Sequence, residues 1–263
     1  MSEVTPAIEL INVDVTGAEL RADTVMIKNV NWTINPGEYW VVGGLPGTGK
    51  TDLLATAAAL QRPGAGTHLV FGRDLYQMDE GEQLRQRLRI GMVFQLGGRL
   101  FSHQTVLENL ALPVCYHRNC TLEEARAQVQ TVLKITELSG MERRQPHRLT
   151  RNIHQRVALA RALMLEPEVL LIDNPLAGID ARQAYWWLDF LPRLTTGVAE
   201  FLHRKITLVV TTDDFRPWQA QGTKFALVHE KQWSIIGSRE DLEKSADPAV
   251  REVLAPDFLQ KES

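Results

Sequence analysis

No feature of this chain constrains its fold more than the run Gly44-Leu45-Pro46-Gly47-Thr48-Gly49-Lys50-Thr51, which satisfies G-x-x-x-x-G-K-[ST] at every fixed position. The run follows an apolar stretch, Tyr39–Val42, and precedes a helical pattern over Lys50–Gln61. Glycine lets the backbone curl so that successive N–H groups point inward, and the start of the following helix adds positive potential at the same place. Such a strand, loop and helix make a cradle for phosphate. Lys50 would neutralise the β- and γ-phosphates of a nucleotide, and the Thr51 hydroxyl would ligate Mg²⁺.

The rest of the pattern agrees with an α/β fold. Strand-like runs at Ile8–Val13, Val25–Ile34, Tyr39–Val42, Ile90–Phe94, Val169–Ile172, Ile206–Thr211, Phe225–His229 and Gln232–Ile236 alternate with helical patterns. The helices expected are Lys50–Gln61, Leu122–Leu138, Ile153–Leu165, Arg182–Leu194 and Arg239–Leu242. Residues from about 96 to 160 read as helical and interrupt the strands, as an inserted helical subdomain would. The polar tail LQKES is expected to fray.

A second chemical signal is Pro167-Glu168-Val169-Leu170-Leu171-Ile172-Asp173. Four apolar residues ending in an acid describe a buried parallel strand with a carboxylate at its C-terminal edge, where open α/β sheets hold ligands. Asp173 is the expected Mg²⁺ partner, with the Thr51 hydroxyl. Composition adds exclusions. The 263 residues carry a net charge of −3, which gives no general attraction to nucleic acid or to an anionic membrane. The N-terminus MSEVTPAIEL shows no secretory pattern, and no apolar run nears the ~20 residues that span a bilayer. A membrane role would therefore need another chain. Cys115 and Cys120 read as reduced thiols in a loop between helices, because His117 alone does not complete a metal site.

The run from His147 through Leu149-Thr150-Arg151-Asn152-Ile153 to Gln155-Arg156-Val157-Ala158-Leu159-Ala160-Arg161-Ala162-Leu163 resembles the signature helix of ABC ATPases, LSGGQ followed by a QRVALARAL-like stretch. The PEVLLID strand follows, then Asn174-Pro175-Leu176-Ala177-Gly178-Ile179-Asp180, which is similar to the family's EP-x-x-GLD segment. Gln95, closing Ile90–Phe94, matches its Q-loop, and Asp180 its D-loop. The resemblance spans residues 7 to 257. It implies a P-loop NTPase core with a mainly parallel sheet (residues 7–95 and 160–238), an antiparallel N-terminal β region, a helical subdomain at 96–159 and a tail at 239–263. It further implies ATP and Mg²⁺ as ligands. Partners would be a homo- or heterodimeric ABC ATPase and a separate transmembrane permease, on the cytoplasmic face of the inner membrane. In such a head-to-tail dimer each ATP meets one subunit's phosphate loop and the other's signature segment. The runs Gly97–Phe101, Thr105–Pro113 and Gly237–Leu254 look like those of Mce/Mla lipid transporter ATPases, adding an Mce-type substrate-binding protein as a partner.

Several positions depart from the family. Arg151 and Asn152 stand where glycines would present bare N–H groups to phosphate, so their side chains are expected to obstruct it. Arg151 could instead offer a charged fork to the γ-phosphate, a reading ranked below obstruction. Asn174 stands at the general-base position, and an amide cannot take a proton from water. Thr212 occupies the switch-histidine position and is too short for that reach. An adenine-stacking aromatic is missing near Val15-Thr16-Gly17, and Asp52 adds negative charge beside the phosphates. Losing a positioned general base costs ~10²–10⁴-fold in rate. Three readings follow: a nucleotide-binding subunit with feeble hydrolysis, an active motor of a lipid transporter using substitute residues, or a soluble ABC protein outside transport. Arg143, Arg144, Arg148, Arg151 and Arg156 are expected to form a solvated basic face, and Tyr185, Trp186, Trp187 and Phe190 to be core or subunit contact.

Overall fold

A computed structural model describes residues 4–17, 24–196 and 205–255. The strands are β1 (Ile8–Thr16), β2 (Val25–Ile34), β3 (Tyr39–Gly43), β4 (Ala65–Val70), β5 (Arg73–Asp74), β6 (Ile90–Val93), β7 (Val169–Ile172), β8 (Thr207–Thr212), β9 (Lys224–His229) and β10 (Gln232–Gly237). The α-helices are α1 (Lys50–Ala57), α2 (Glu80–Arg87), α3 (Val106–Arg118), α4 (Leu122–Ile135), α5 (Arg151–Leu163), α6 (Ala181–Thr196), α7 (Arg239–Lys244) and α8 (Pro248–Leu254). The residues LQKES lie outside the described ones.

The strands build two sheets. One has the order β10-β9-β3-β8-β7-β6, parallel except for its antiparallel edge strand β10. The other is antiparallel, in the order β2-β1-β4-β5. This is the expected α/β fold, a mainly parallel core with an antiparallel N-terminal region.

Side-chain alternation along the parallel strands divides the core. Tyr39, Val41, Leu170, Ile172, Leu208 and Val210 face the cluster that holds helices α3 to α6. Trp40, Val42, Val169, Leu171 and Val209 face the opposite cluster with α1, β1 and β2. A strand covered on both faces has no polar side, which is why VLLI and LVV read as unbroken apolar runs. The two sheets meet at Trp32, whose ring centroid lies 5.7 Å from Trp40 and 4.9 Å from Trp233. Lys28 N–H also donates to the Lys231 carbonyl at 2.9 Å.

Helices α3, α4 and α5 occupy the stretch between β6 and β7. Capping boxes start two of them, Thr105 with Glu108 and Thr121 with Glu124, each T-x-x-E satisfying backbone donors that a helix start leaves open. Cys115 therefore lies inside α3, not in a loop as expected, and Cys120 sits in the two-residue turn after Asn119. Arg156 also departs from expectation. It is buried, donates to the carbonyls of Thr136 and Glu137, and lies 4.0 Å over the Trp186 ring, which itself stacks on Phe190. Trp187 and Phe190 are core, and Tyr185 is exposed.

Candidate functional site

The parallel register brings the sequence motifs to one edge. Gly43 pairs with Thr212, Ile172 with Val210, and Val93 with Ile172. The segments that follow β3, β6, β7 and β8 therefore leave the sheet side by side at its carboxyl end.

The loop after β3 closes on α1 through Gly49, its N-cap, at φ 97°. A Cβ on Gly44 would lie 2.5 Å from the Val228 carbonyl oxygen, so no larger residue fits there. Lys50 is buried, and its Nζ donates to the carbonyls of Gly44 and, at 2.9 Å, of Leu45. Burial pulls the Lys50 ammonium below the usual lysine range, and the charges of Asp213 and Asp173 oppose that pull. Thr48 Oγ1 donates to the Leu45 carbonyl at 2.9 Å and tightens the same turn.

Asp173, just past β7, is 2% exposed. Its two carboxylate oxygens accept one hydroxyl each, Oδ2 from Thr51 at 2.7 Å and Oδ1 from Thr211 at 2.7 Å. Asn174 follows at φ 43°, a left-handed conformation that asparagine tolerates better than most residues. Its N–H donates to Thr211 Oγ1 at 2.9 Å and its Nδ2 to Asp213 Oδ2 at 3.4 Å. Lys50, Thr51, Asp173, Asn174 and Asp213 line a cavity of about 250 Å³ together with Met26, Pro46, Gly47, Gly49, Asp52 and Gln95, and Thr211 lies buried behind Asp173 and Asn174. The hydroxyl of Thr51, the carboxylate of Asp173 and the side-chain carbonyl of Gln95 are hard oxygen donors of the kind Mg²⁺ takes. A buried ammonium on a loop of turned-in backbone suits a polyphosphate. The residues present thus fit MgATP.

Other predicted positions lie elsewhere. Thr212 turns into the core: its hydroxyl donates to the Asp214 carbonyl at 2.8 Å and accepts from Trp218 Nε1 at 3.1 Å. Leu149 and Thr150 lead into α5, and Arg151, Asn152 and Ile153 form its first turn, none of them lining the cavity of their own chain. Arg151 Nη2 donates to the Ala177 carbonyl at 3.3 Å, and a Cβ on Gly178 would lie 2.9 Å from Arg151 Nη1. The guanidinium therefore rests on the 174–180 loop. Asp180 accepts from Gln183 N–H at 2.9 Å and caps α6. At the missing aromatic, Thr16 accepts a hydrogen bond from Gln61. Met26, Thr211 and Asp213 escaped the sequence reading as site residues. The signal for the last two was a strand, TLVVTTDD, leaving the sheet beside the phosphate loop.

A groove of about 470 Å³ opens between the core and the helical stretch, lined by Leu88, Met92, Phe101, Leu112, Tyr116 and Arg161 among others. Phe101 and Tyr116 are 47% and 77% exposed, large apolar surface that no described residue covers. Of the segment Gln95–Asn109, Phe101 alone lines this groove. The remaining lining comes from α3, α5, the strand β6 with its N-terminal flank, and the link from α5 to β7.

A family model described as "ABC transporter" matches residues 27–177. The sulfate/thiosulfate import ATP-binding protein CysA of Mycobacterium bovis is 33% identical over 220 residues, covering 84% of this chain and 59% of that protein. The Fe(3+) ions import ATP-binding protein FbpC of Brucella melitensis biotype 1 is 40% identical over 217 residues, covering 82% of this chain and 58% of that protein. The chain thus spans about three fifths of the length of these curated relatives. Among solved structures, the dimeric bacterial ABC transporter cassette MJ0796 superposes with a TM-score of 0.74 at 29% identity, covering 86% of this chain and 96% of that one. CbiO1 from Clostridium perfringens, part of the complex cbiONQ, gives a TM-score of 0.75 at 22% identity over 91% of both chains, a likeness of fold.

Proposed function

The chain belongs to the ABC transporter family, and from that membership we propose that it is an ATP-binding subunit that holds MgATP at the 44–51 loop with little hydrolysis of its own. The observation that carries this reading is the 2.7 Å contact between Thr51 of the loop and Asp173 at the end of β7, inside the cavity that Lys50 also enters. When bound, Mg²⁺ would supply charge neutralisation to phosphate oxygens. Lys50 and the loop N–H groups would bind and orient the polyphosphate, and Thr51, Gln95 and Asp173 would hold the ion. Asn174 can orient a water by hydrogen bonding but cannot accept its proton. The Thr212 hydroxyl is committed to Asp214 and Trp218, which supports slow turnover.

One observation favours the second reading, an active motor. The Asp213 carboxylate lines the same cavity and accepts from Asn174 Nδ2, so a carboxylate stands beside the general-base position. Phosphate release separates the two. Titration calorimetry should show MgATP binding by the wild type and a loss of about 10- to 100-fold in Lys50→Ala, the worth of a charged hydrogen bond. Turnover by the isolated chain should stay well below the usual ~1–10³ s⁻¹, and Asn174→Glu should not restore it. Absence of binding to folded protein would sink the proposal. Fast, Lys50-dependent turnover would select the motor.

We further propose residues 7–257 as one ATP-binding domain, acting as a homo- or heterodimer on a separate permease at the cytoplasmic face. The groove beside Phe101 and Tyr116 is the surface offered to the permease. A lipid cargo, with an Mce-type protein as a further partner, is supported by the runs at 97–113 and 237–254 alone. Lipid extraction from the purified complex tests it against the anion and metal cargoes in the relatives' names.

A further inference from the structure

Thr211 is fully buried near the end of a strand whose six residues are all buried. Its side chain would be replaceable by valine if it only filled space. Its hydroxyl nevertheless makes two bonds of opposite sense. It donates its proton to Asp173 Oδ1 at 2.7 Å and accepts the N–H of Asn174 at 2.9 Å. A hydroxyl has one proton to give and two lone pairs, so each bond fixes the direction of the other. The neighbouring Thr212 points to the opposite face of the strand and spends its hydroxyl on Trp218 and Asp214. Of two adjacent threonines, one bonds core groups and the other bonds two residues that line the cavity, Asp173 and Asn174.

We infer that Thr211 is a positioning residue of the Mg²⁺-nucleotide site, orienting the Asp173 carboxylate and the Asn174 backbone through a single oxygen. This rests on the phosphate-binding reading above. Asp173 then has both oxygens directed, Oδ1 by Thr211 and Oδ2 by Thr51, and cannot rotate about its terminal bond without breaking one of them. The same oxygen holds the turn at Asn174, where φ is 43° and the chain leaves β7. The hydrogen bonds of Lys50 do not depend on Thr211, because they are made to the carbonyls of Gly44 and Leu45. Nucleotide contact and ion contact are therefore separable by mutation.

The test measures ADP affinity by calorimetry, with Mg²⁺ and with EDTA, for the wild type, Thr211→Val, Thr211→Ala and Thr211→Ser. The expected result is that Thr211→Val leaves the affinity in EDTA unchanged and loses about tenfold or more of the tightening that Mg²⁺ confers. Thr211→Ser, which keeps the hydroxyl, should retain that tightening. Thr211→Ala repeats the test if the valine variant does not fold. Equal losses with and without Mg²⁺, or failure of serine to rescue, would mark a merely structural residue and overturn the inference. So would full Mg²⁺ dependence in the valine variant. A wild type that binds no nucleotide sinks the phosphate-site reading and this inference with it, whereas normal wild-type binding beside an unaffected valine variant sinks this inference alone.

Discussion

Acidification should destabilise this protein through His68, and the size of the effect follows from its surroundings. His68 lies on β4, is fully buried, and neither ring nitrogen makes a well-formed hydrogen bond among the described residues. Burial pushes its pKa from 6.5 down to about 4; Asp74 and a backbone contact at Ala57 oppose the shift and Arg87 reinforces it. The folded state therefore refuses a proton that the unfolded chain accepts. Above about pH 6.5 the imidazole is neutral in both states and contributes no pH dependence. Between 6.5 and about 4 the unfolded chain gains the proton, and stability falls by about 1.4 kcal/mol per pH unit. The full loss, about 3 kcal/mol, is reached near pH 4. Urea titrations of the wild type and His68→Leu, compared from about pH 7.5 to about pH 4.5, isolate the histidine because other titrating groups cancel in the difference. The leucine variant should gain on the wild type by roughly 1–2 kcal/mol near pH 5.5. Parallel stability curves over that range would refute the reasoning.

Two further outcomes concern other parts of the molecule. Arg156→Leu should cost about 2–3 kcal/mol in chemical denaturation, because it strands the Thr136 carbonyl and removes the stack on Trp186; a change under about 0.5 kcal/mol would contradict the tie described here. Tyr116→Asp should leave stability within about 0.5 kcal/mol and weaken co-purification with a membrane subunit about tenfold, whereas unchanged recovery would remove the groove as the docking surface.

The parts of the fold that sequence reading reached share one property: their physics is local. Gly44–Thr51 announces itself because backbone curvature and phosphate chemistry restrict residue types in one short run. Val169–Ile172 does so because burial on both faces forbids polar residues. Elements lacking such pressure were missed. α2, EGEQLRQR, has no buried residue and hence no apolar stripe to betray its period. β4 opens on Ala65 and Gly66 at the sheet surface, and β5 has two residues. α3 runs through Pro113, which locally reads as a helix stop and hides the helical setting of Cys115. Arg156 looked solvated because its cover, Trp186, comes from a helix thirty positions along the chain. At the site, Lys50, Thr51, Gln95 and Asp173 were legible as motif positions and do line one cavity. Thr211 and Asp213 were not, since their importance arises from strand pairing across the sheet.

The pairing of β3 has a consequence for the order in which the molecule can be made. Both neighbours of this strand, β8 and β9, lie near the other end of the chain, and Gly37 N–H bonds a threonine hydroxyl 170 residues away. At about 5–20 residues per second on the ribosome, roughly 10–30 s separate the emergence of β3 from that of its partners. Through that interval the strand carrying the phosphate loop has neither ladder neighbour, while β1, β2, β4 and the α3–α4 hairpin can already form from local contacts. The nucleotide cradle is thus encoded early and assembled late, and a chain interrupted before β8 would carry the complete loop sequence with no frame to hold it.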